Sequence, residues 1–340
     1  MPAPDLIALD VGGANLKAAD GLGWTHAESF ALWREWRRLP DALARILDRS
    51  AARRVVATMT GEIADCYASR SAGVAHIVEA LVAAARERGA DVGIYLVDGR
   101  IVPAAEAVRM PSLAAAANWH ALARLAAADA PAPRSLLVDI GSTTTDVVAL
   151  VDGAPAPLAR HDAGRMRSGE LVYMGIERTP LATIVRALPH DGTARPVAAE
   201  RFADSRDAWL LLGGIPEDPA DCDTADGGPA TRDAARVRLA RAMLVEPDDL
   251  SPAAAATAAE RCATVQARRV AAALRRVAER HGWQPGGVVL SGHGEVLARR
   301  ALAVTWPAVP VTSLGDFLGP AVSRAAPAHA LALVARGTLP

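Results

Sequence analysis

The sequence predicts an α/β protein of two related domains, each opening with a β-hairpin whose tip lines a shared cleft. Three observations carry that prediction. Hydrophobic residues make up 51% of 340 residues, enough to fill two cores of about 150 residues each. An apolar strand ending in D-x-G occurs twice, at Asp10 and at Asp139, an offset of 139 − 10 = 129 residues. The Ala-Pro-Ala-Pro stretch at 130–133 lies between the two copies and reads as a stiff junction.

Residues 6–10 form a short apolar run and read as a buried strand, 11–14 as a turn and 15–19 as the returning strand, closed by the turn signal Asp20-Gly21. A short helix follows over 40–48, a strand over 54–58 and a turn over 59–62. Residues 74–88 read as an Ala-rich helix, and 93–97 with 100–103 as strands flanking Asp98-Gly99. A single helix is expected over 111–128. The opening pattern then returns: strand 136–139, turn 140–143, strand 144–150, closing near Asp152-Gly153. In this repeat Gly12 matches Gly141 and Lys17 matches Asp146. Residues 160–235 are less regular. Helices are expected over 231–244 and 252–280, a strand over 288–290, a Gly-rich turn at 291–295, a helix over 296–303 and a last helix over 320–336. The expected domains are therefore 1–130 and 134–320, the second with an insertion at about 160–235. Residues 321–340 would form a C-terminal helix packing back on the first domain.

Composition excludes several functions. The formal charge of −1 gives no bulk attraction for nucleic acid or an anionic membrane. No apolar run approaches the roughly 18 residues of a membrane span, and residues 1–5 do not look like a signal peptide. Cys66, Cys222 and Cys262 are odd in number and scattered, which favours a reducing cytoplasm. Walker, protein-kinase and zinc-ligand patterns are absent. Oligomeric state is not legible.

One residue count points toward chemistry. Of the 37 basic residues, only Lys17 is a lysine. Where composition replaces Lys by Arg throughout, a surviving Lys marks a place for a compact point charge. Two facing D-x-G tips would offer backbone amides to phosphate oxygens at Gly12, Gly13, Asn15 and Gly141, with hydroxyls from Ser142, Thr143 and Thr144. Asp10, Asp139 and Asp146 are candidate carboxylates for Mg²⁺ and its waters. A lone D-x-G would be an ordinary hairpin; the duplicated pair with Lys17 reads as a phosphate cleft.

Three motifs resemble those of a known superfamily. DVGGANLK at 10–17 and DIGSTTTD at 139–146 resemble its two phosphate motifs. LSGHGE at 290–295 resembles its Gly-rich nucleotide motif, with Ser in place of the usual first Gly. This is the actin-like ATPase superfamily of sugar kinases, heat-shock ATPases and hydantoinase/oxoprolinase proteins. The resemblance implies two RNase H-like domains around a cleft, with Gly292 and Gly294 on the nucleotide side and ATP or ADP as a candidate ligand. A narrower resemblance rests on TMTGEIAD at 58–65, AANW at 116–119, SGELVY at 168–173, RTP at 178–180 and TADG at 224–227. Together these resemble the hydantoinase-like proteins of tetrahydromethanopterin-linked C1 transfer and the condensing enzymes of methanofuran biosynthesis.

That resemblance implies a Mg²⁺-dependent transferase. It would join 5-(aminomethyl)furan-3-ylmethyl diphosphate to the phenol of a tyramine- or tyrosine-type acceptor and release diphosphate. Lys17 would stabilise the leaving diphosphate. Glu62, Asp65 and Glu170 are candidate acceptors of the phenolic proton, each with a purely structural rival role. Arg165, Arg167 and Arg178 would grip diphosphate or a glutamyl carboxylate, or form a solvated basic loop. The alternatives are an ATP-dependent small-molecule kinase and a nucleotide-switched binding protein.

Overall fold

The computed structural model describes residues 5–339. Residues 1–4, where the N-terminal reading partly falls, and Pro340 lie outside the described residues. The strands in chain order are β1 (Leu6–Val11), β2 (Asn15–Ala19), β3 (Thr25–Ser29), β4 (Arg54–Met59), β5 (Asp91–Tyr95) and β6 (Ile101–Pro103), then β7 (Arg134–Ile140), β8 (Thr145–Val151), β9 (Ala154–Pro155), β10 (Leu171–Val172), β11 (Ala187–His190), β12 (Thr193–Pro196), β13 (Gly287–Ser291) and β14 (Val311–Ser313). The first sheet has the order β3-β2-β1-β4-β5-β6 and the second β10-β8-β7-β13-β14, with β9 beside β8.

The two sheets repeat one topology. In each, the first three strands run antiparallel as a meander, and the fourth and fifth join the first in parallel. The sequence repeat is therefore a repeat of fold, two RNase H-like units in one chain. Parallel pairing buries β1, β7 and β13 on both faces, which is why they read as unbroken apolar runs.

Each sheet has its own core. Helices Leu39–Leu47 and Arg70–Arg86 cover one face of the first sheet. Helices Pro252–His281 and Glu295–Thr305 cover one face of the second. Between the sheets lie Asn118–Ala128 and Ala326–Arg336, packed with Leu6, Leu137 and Val289. The final helix is pinned to the first sheet by Arg336 Nε, which donates to the Asp20 carbonyl at 2.8 Å. Helices Ser205–Leu211 and Arg232–Ala242 form a satellite core on Pro252–His281. Among the described residues no helix is long and apolar enough to cross a membrane.

The structure corrects several expected boundaries. The single helix expected over 111–128 is two, Pro111–Ala114 and Asn118–Ala128, parted where Ala116 takes φ 48°. The last helix, expected over 320–336, is likewise divided: one helix ends at Arg324, Ala325 leaves the helical path (φ −112°, ψ 23°), and a new helix begins at Ala326. The helix expected from 74 starts at Arg70, because Ser69 caps it by accepting from the Ala72 amide at 3.1 Å. Strand β3 was not expected; it is a polar, half-exposed edge whose residues show no apolar alternation.

Candidate active site

The hairpin registers set the charges. Asp10 pairs with Lys17 across β1 and β2, and Asp139 with Asp146 across β7 and β8. The turns match as well: the Gly12 amide donates to the Asn15 carbonyl and the Gly141 amide to the Thr144 carbonyl, both at 3.0 Å. A Cβ on Gly12 would lie 2.9 Å from the Asn15 oxygen, so this tight turn excludes other residues.

Each tip is also tied down by the chain beyond its third strand. The amides of Phe30 and Leu32 donate to the Ala14 and Gly13 carbonyls at 2.9 and 3.0 Å. In the second unit Ile176 donates to the Gly141 carbonyl at 3.0 Å, and Glu177 and Arg178 to the Ser142 carbonyl at 3.1 and 2.9 Å. Gly175 permits this approach, since a Cβ there would sit 2.3 Å from the Ser142 oxygen. With their carbonyls engaged, the tips leave the amides of Gly13, Ala14, Ser142 and Thr143 without a protein acceptor among the described residues. Such an edge of free amides suits an anion. No atom lies within 4 Å of a Cβ built on Gly13. Ser142 and Thr143 hold their hydroxyls 3.4 Å apart beside it, and Asn15 and Thr144 are half-buried at the two turns.

Three carboxylates lie at this level, in three different states. Asp10 is buried and its Oδ1 has no partner. Burial pushes its pKa up, against the pull of Lys17 and a hydrogen bond from Asn118. Asp139 is pushed up to about 6 by burial and then by Asp146, against Ser291, Lys17 and His293. Lys17 thus acts on both hairpins, and no carboxylate lies within ion-pair distance of it among the described residues. Burial raises Asp146 too, but the Arg165 guanidinium lies 2.8 Å away. Arg165 is 1% exposed and stacks 3.9 Å over the Trp119 ring.

No group of three His, Cys, Asp or Glu side chains gathers as a metal-ligand set among the described residues. Of the expected trio, Asp146 lies across the second hairpin from Asp139 but is paired with Arg165, which leaves Asp10 and Asp139 as the carboxylates without an ion pair among the described residues. The orphaned buried Oδ1 of Asp10 and the raised Asp139 still suit a cation that keeps most of its own waters, as Mg²⁺ does.

The Gly-rich turn after β13 packs against the second hairpin. A Cβ on Gly292 (φ 81°) would meet the Ile140 oxygen at 2.3 Å, and one on Gly294 would meet Ile140 Cγ2 at 2.3 Å. The packing alone requires both glycines. His293, between them, lies 3.4 Å from Glu177. Burial would raise Glu177, but His293 and Arg206 together take it down to about 2.

The proposed acceptor-side carboxylates separate clearly. Glu62 is 1% exposed and neither carboxyl oxygen has a hydrogen-bond partner. Burial takes it up to about 7, against a weak pull from Arg70 at 3.6 Å. Asp65 is exposed to solvent. Glu170 is committed elsewhere: its carboxylate accepts from the Leu158 and Ala159 amides at 2.7 and 3.0 Å and from the Ser168 hydroxyl at 2.6 Å. Those three donors make it a brace for the 158–159 turn, and the expectation that it takes a proton gives way.

The basic loop also divides. Arg165 is interior, Arg167 is exposed, and Arg178 lies 5.2 Å over the Trp33 ring while reaching Asp223 at 3.3 Å. Cys66 is half-buried, its thiol 3.7 Å from the Leu32 carbonyl. Sequence reasoning missed Asn118, Arg70, Asp162 and Tyr173. Arg70 bonds Asp162 at 2.6 Å, and Tyr173, 56% exposed, feels the charges of Asp162, Arg70 and Glu62. The motifs AANW at 116–119 and SGELVY at 168–173 contain Asn118 and Tyr173 but gave them no role.

Duplicated RNase H-like units with paired glycine tips define a protein of the actin-like ATPase superfamily fold. Residues 53–305 match the family model for hydantoinase/oxoprolinase, and the chain belongs to the hydantoinase/oxoprolinase family. It is 28% identical over 332 residues to a (4-{4-[2-(gamma-L-glutamylamino)ethyl]phenoxymethyl}furan-2-yl)methanamine synthase of Methanocaldococcus jannaschii, covering 96% of each chain. A synthase of the same name from Methanococcus vannielii is 29% identical over 206 residues, 60% of this chain and 91% of that protein. Among solved structures, a glucokinase of the ROK family from Streptomyces griseus aligns over 98% of this chain and 99% of its own, with 14% identity and a TM-score of 0.48.

Proposed function

We propose that this chain is a synthase of methanofuran-type cofactors. It would condense 5-(aminomethyl)furan-3-ylmethyl diphosphate with the phenol of a tyramine- or tyrosine-type acceptor. The observation that carries this reading is the pairing of a free amide edge at two glycine tips with Glu62, buried and with no hydrogen-bond partner for its carboxyl oxygens. The first suits a diphosphate; the second suits a proton acceptor. The two archaeal relatives are named for a phenoxymethylfuran product, which is what such a pair of groups would make.

The reaction breaks the bond between the furan CH₂ and the diphosphate oxygen. It forms a bond from that carbon to the phenolic oxygen, and the phenolic proton goes to Glu62. The furan ring spreads the positive charge that develops at the CH₂. Lys17 and the tip amides hold the leaving diphosphate where its charge grows. Glu62, at about 7, is matched to accept a proton near neutral pH. Asp10 and Asp139 would hold Mg²⁺ through its waters, and the ion would supply charge neutralisation at the diphosphate. Arg178, over Trp33 and beside Asp223, would meet the acceptor or the diphosphate from the opposite unit.

Against the kinase alternative, packing on Ile140 gives Gly292 and Gly294 a reason that needs no nucleotide. The test is to incubate the purified chain with Mg²⁺, the furan diphosphate and γ-glutamyltyramine, following diphosphate release and ether mass. A parallel reaction holds ATP without the furan. Ether with equimolar diphosphate is expected; acceptor-dependent ADP formation without ether would replace this reading with the kinase.

A further inference from the structure

Glu62 is fixed from one side and tuned from the other. Its backbone is pinned by the helix Arg70–Arg86: a Cβ on Gly73 would lie 2.1 Å from the Glu62 carbonyl oxygen, so only glycine lets that helix press on it. Its carboxyl is buried, with no hydrogen-bond partner for either oxygen. The nearest charge is Arg70, in the first turn of the same helix. Arg70 Nε lies 3.6 Å from Glu62, while its Nη2 bonds Asp162 of the second unit at 2.6 Å. One guanidinium is therefore shared between a buried carboxyl of one unit and a carboxylate of the other.

We propose that Arg70 is a positioning residue that couples apposition of the two units to the proton-accepting strength of Glu62. The inference rests on the reading of Glu62 as the acceptor of the phenolic proton. With the units together, Asp162 takes most of the Arg70 charge and Glu62 holds its proton more tightly as a base. With Asp162 withdrawn, the whole guanidinium charge falls on Glu62 and makes it a weaker base. Proton acceptance is then strongest only when both units enclose the acceptor. The other titratable group facing this cluster is Tyr173, from the segment after β10. The Ala116 amide also points to Glu62, at the left-handed turn that divides the helices.

The two partners of this bridge have opposite predicted effects. Asp162→Asn frees the Arg70 charge and moves the Glu62 titration down; Arg70→Gln removes the charge and moves it up. Each shift is expected to be about one pH unit, the size of one nearby charge. Arg70→Lys keeps the charge and restores a near wild-type titration. A bridge that merely held the units together would lower activity in both variants with no opposed shift.

The experiment is ¹³C NMR titration of carboxyl-labelled glutamate in the full chain, with Glu62→Gln assigning the signal, alongside the acid limb of kcat/KM for ether formation. Opposed shifts in the titration and in the acid limb support the coupling. Shifts of the same sign, or none, in variants that retain the wild-type far-UV spectrum overturn it. If the wild type makes no ether, the proposed function fails, yet the NMR titration still decides whether Arg70 and Asp162 set Glu62.

Discussion

Lys17 stands directly across the first hairpin from Asp10, and its charge reaches Asp139 on the second. The one lysine in the chain is thus the cation common to both halves of the cleft. At the matching place in the second hairpin stands Asp146, neutralised by Arg165 from the interior. The duplication has kept the backbone and divided the charges, so a diphosphate would meet a net positive point on one tip only.

Lys17→Met should reduce kcat/KM for diphosphate release by about 10²–10³-fold, the effect of removing one preorganised charge from a developing anion. Lys17→Arg should recover little, because the longer forked group cannot take the place of a point charge. Steady-state kinetics on both variants check this; full activity in Lys17→Met would remove the residue from the mechanism.

Two glycines, one at the first tip and one packed against the second, should behave in opposite ways. Gly175→Ala would press a methyl group on the Ser142 backbone and should destabilise the fold by about 1–3 kcal/mol. Gly13→Ala meets no atom within 4 Å, so stability should stay within about 0.5 kcal/mol while diphosphate affinity falls. Denaturant unfolding of the two variants, with a binding measurement on the second, checks the contrast.

Glu62 should also appear in the pH dependence of stability. Its folded pKa, about 7, lies above the unfolded value near 4.5. The native state therefore holds a proton that the unfolded chain has lost, and stability falls as pH rises between about 4.5 and 7. Glu62→Gln removes that loss. The variant should be more stable than wild type at pH 8 by about 3 kcal/mol, and equal to it at pH 4, while losing ether formation. Unfolding curves at the two pH values read the sign directly.

Arg165 offers a fourth test. Arg165→Met leaves half-buried Asp146 without its cation and should cost about 2–4 kcal/mol. Adding Asp146→Asn should return most of that loss, since the stranded charge goes with it. A double variant no more stable than the single one would show that the stacking of Arg165 on Trp119 matters more than the ion pair.

The hairpins were legible because their signal is local. An apolar run, D-x-G and a returning strand specify turn and register within ten residues, and repetition at Asp139 fixed the two-unit fold. The Gly-rich turn was legible as a motif but not in its reason, since its contact with Ile140 joins residues distant in sequence. Partnerships were not legible. Nothing near Glu170 in sequence announces the amides of Leu158 and Ala159, and nothing near Asp146 distinguishes Arg165 from the exposed Arg167. The breaks at Ala116 and Ala325 were missed because alanine-rich sequence favours helix locally. β3 was missed because an edge strand needs no apolar face.

The most direct measurement of the central claim is calorimetric binding of inorganic diphosphate with Mg²⁺ to the wild-type chain and to Lys17→Ala and Asp10→Ala. One site per chain, Mg²⁺-dependent and lost in both variants, is the predicted result. Diphosphate that does not bind, or that binds equally to all three proteins, would contradict the assignment of the paired hairpin tips as its cradle.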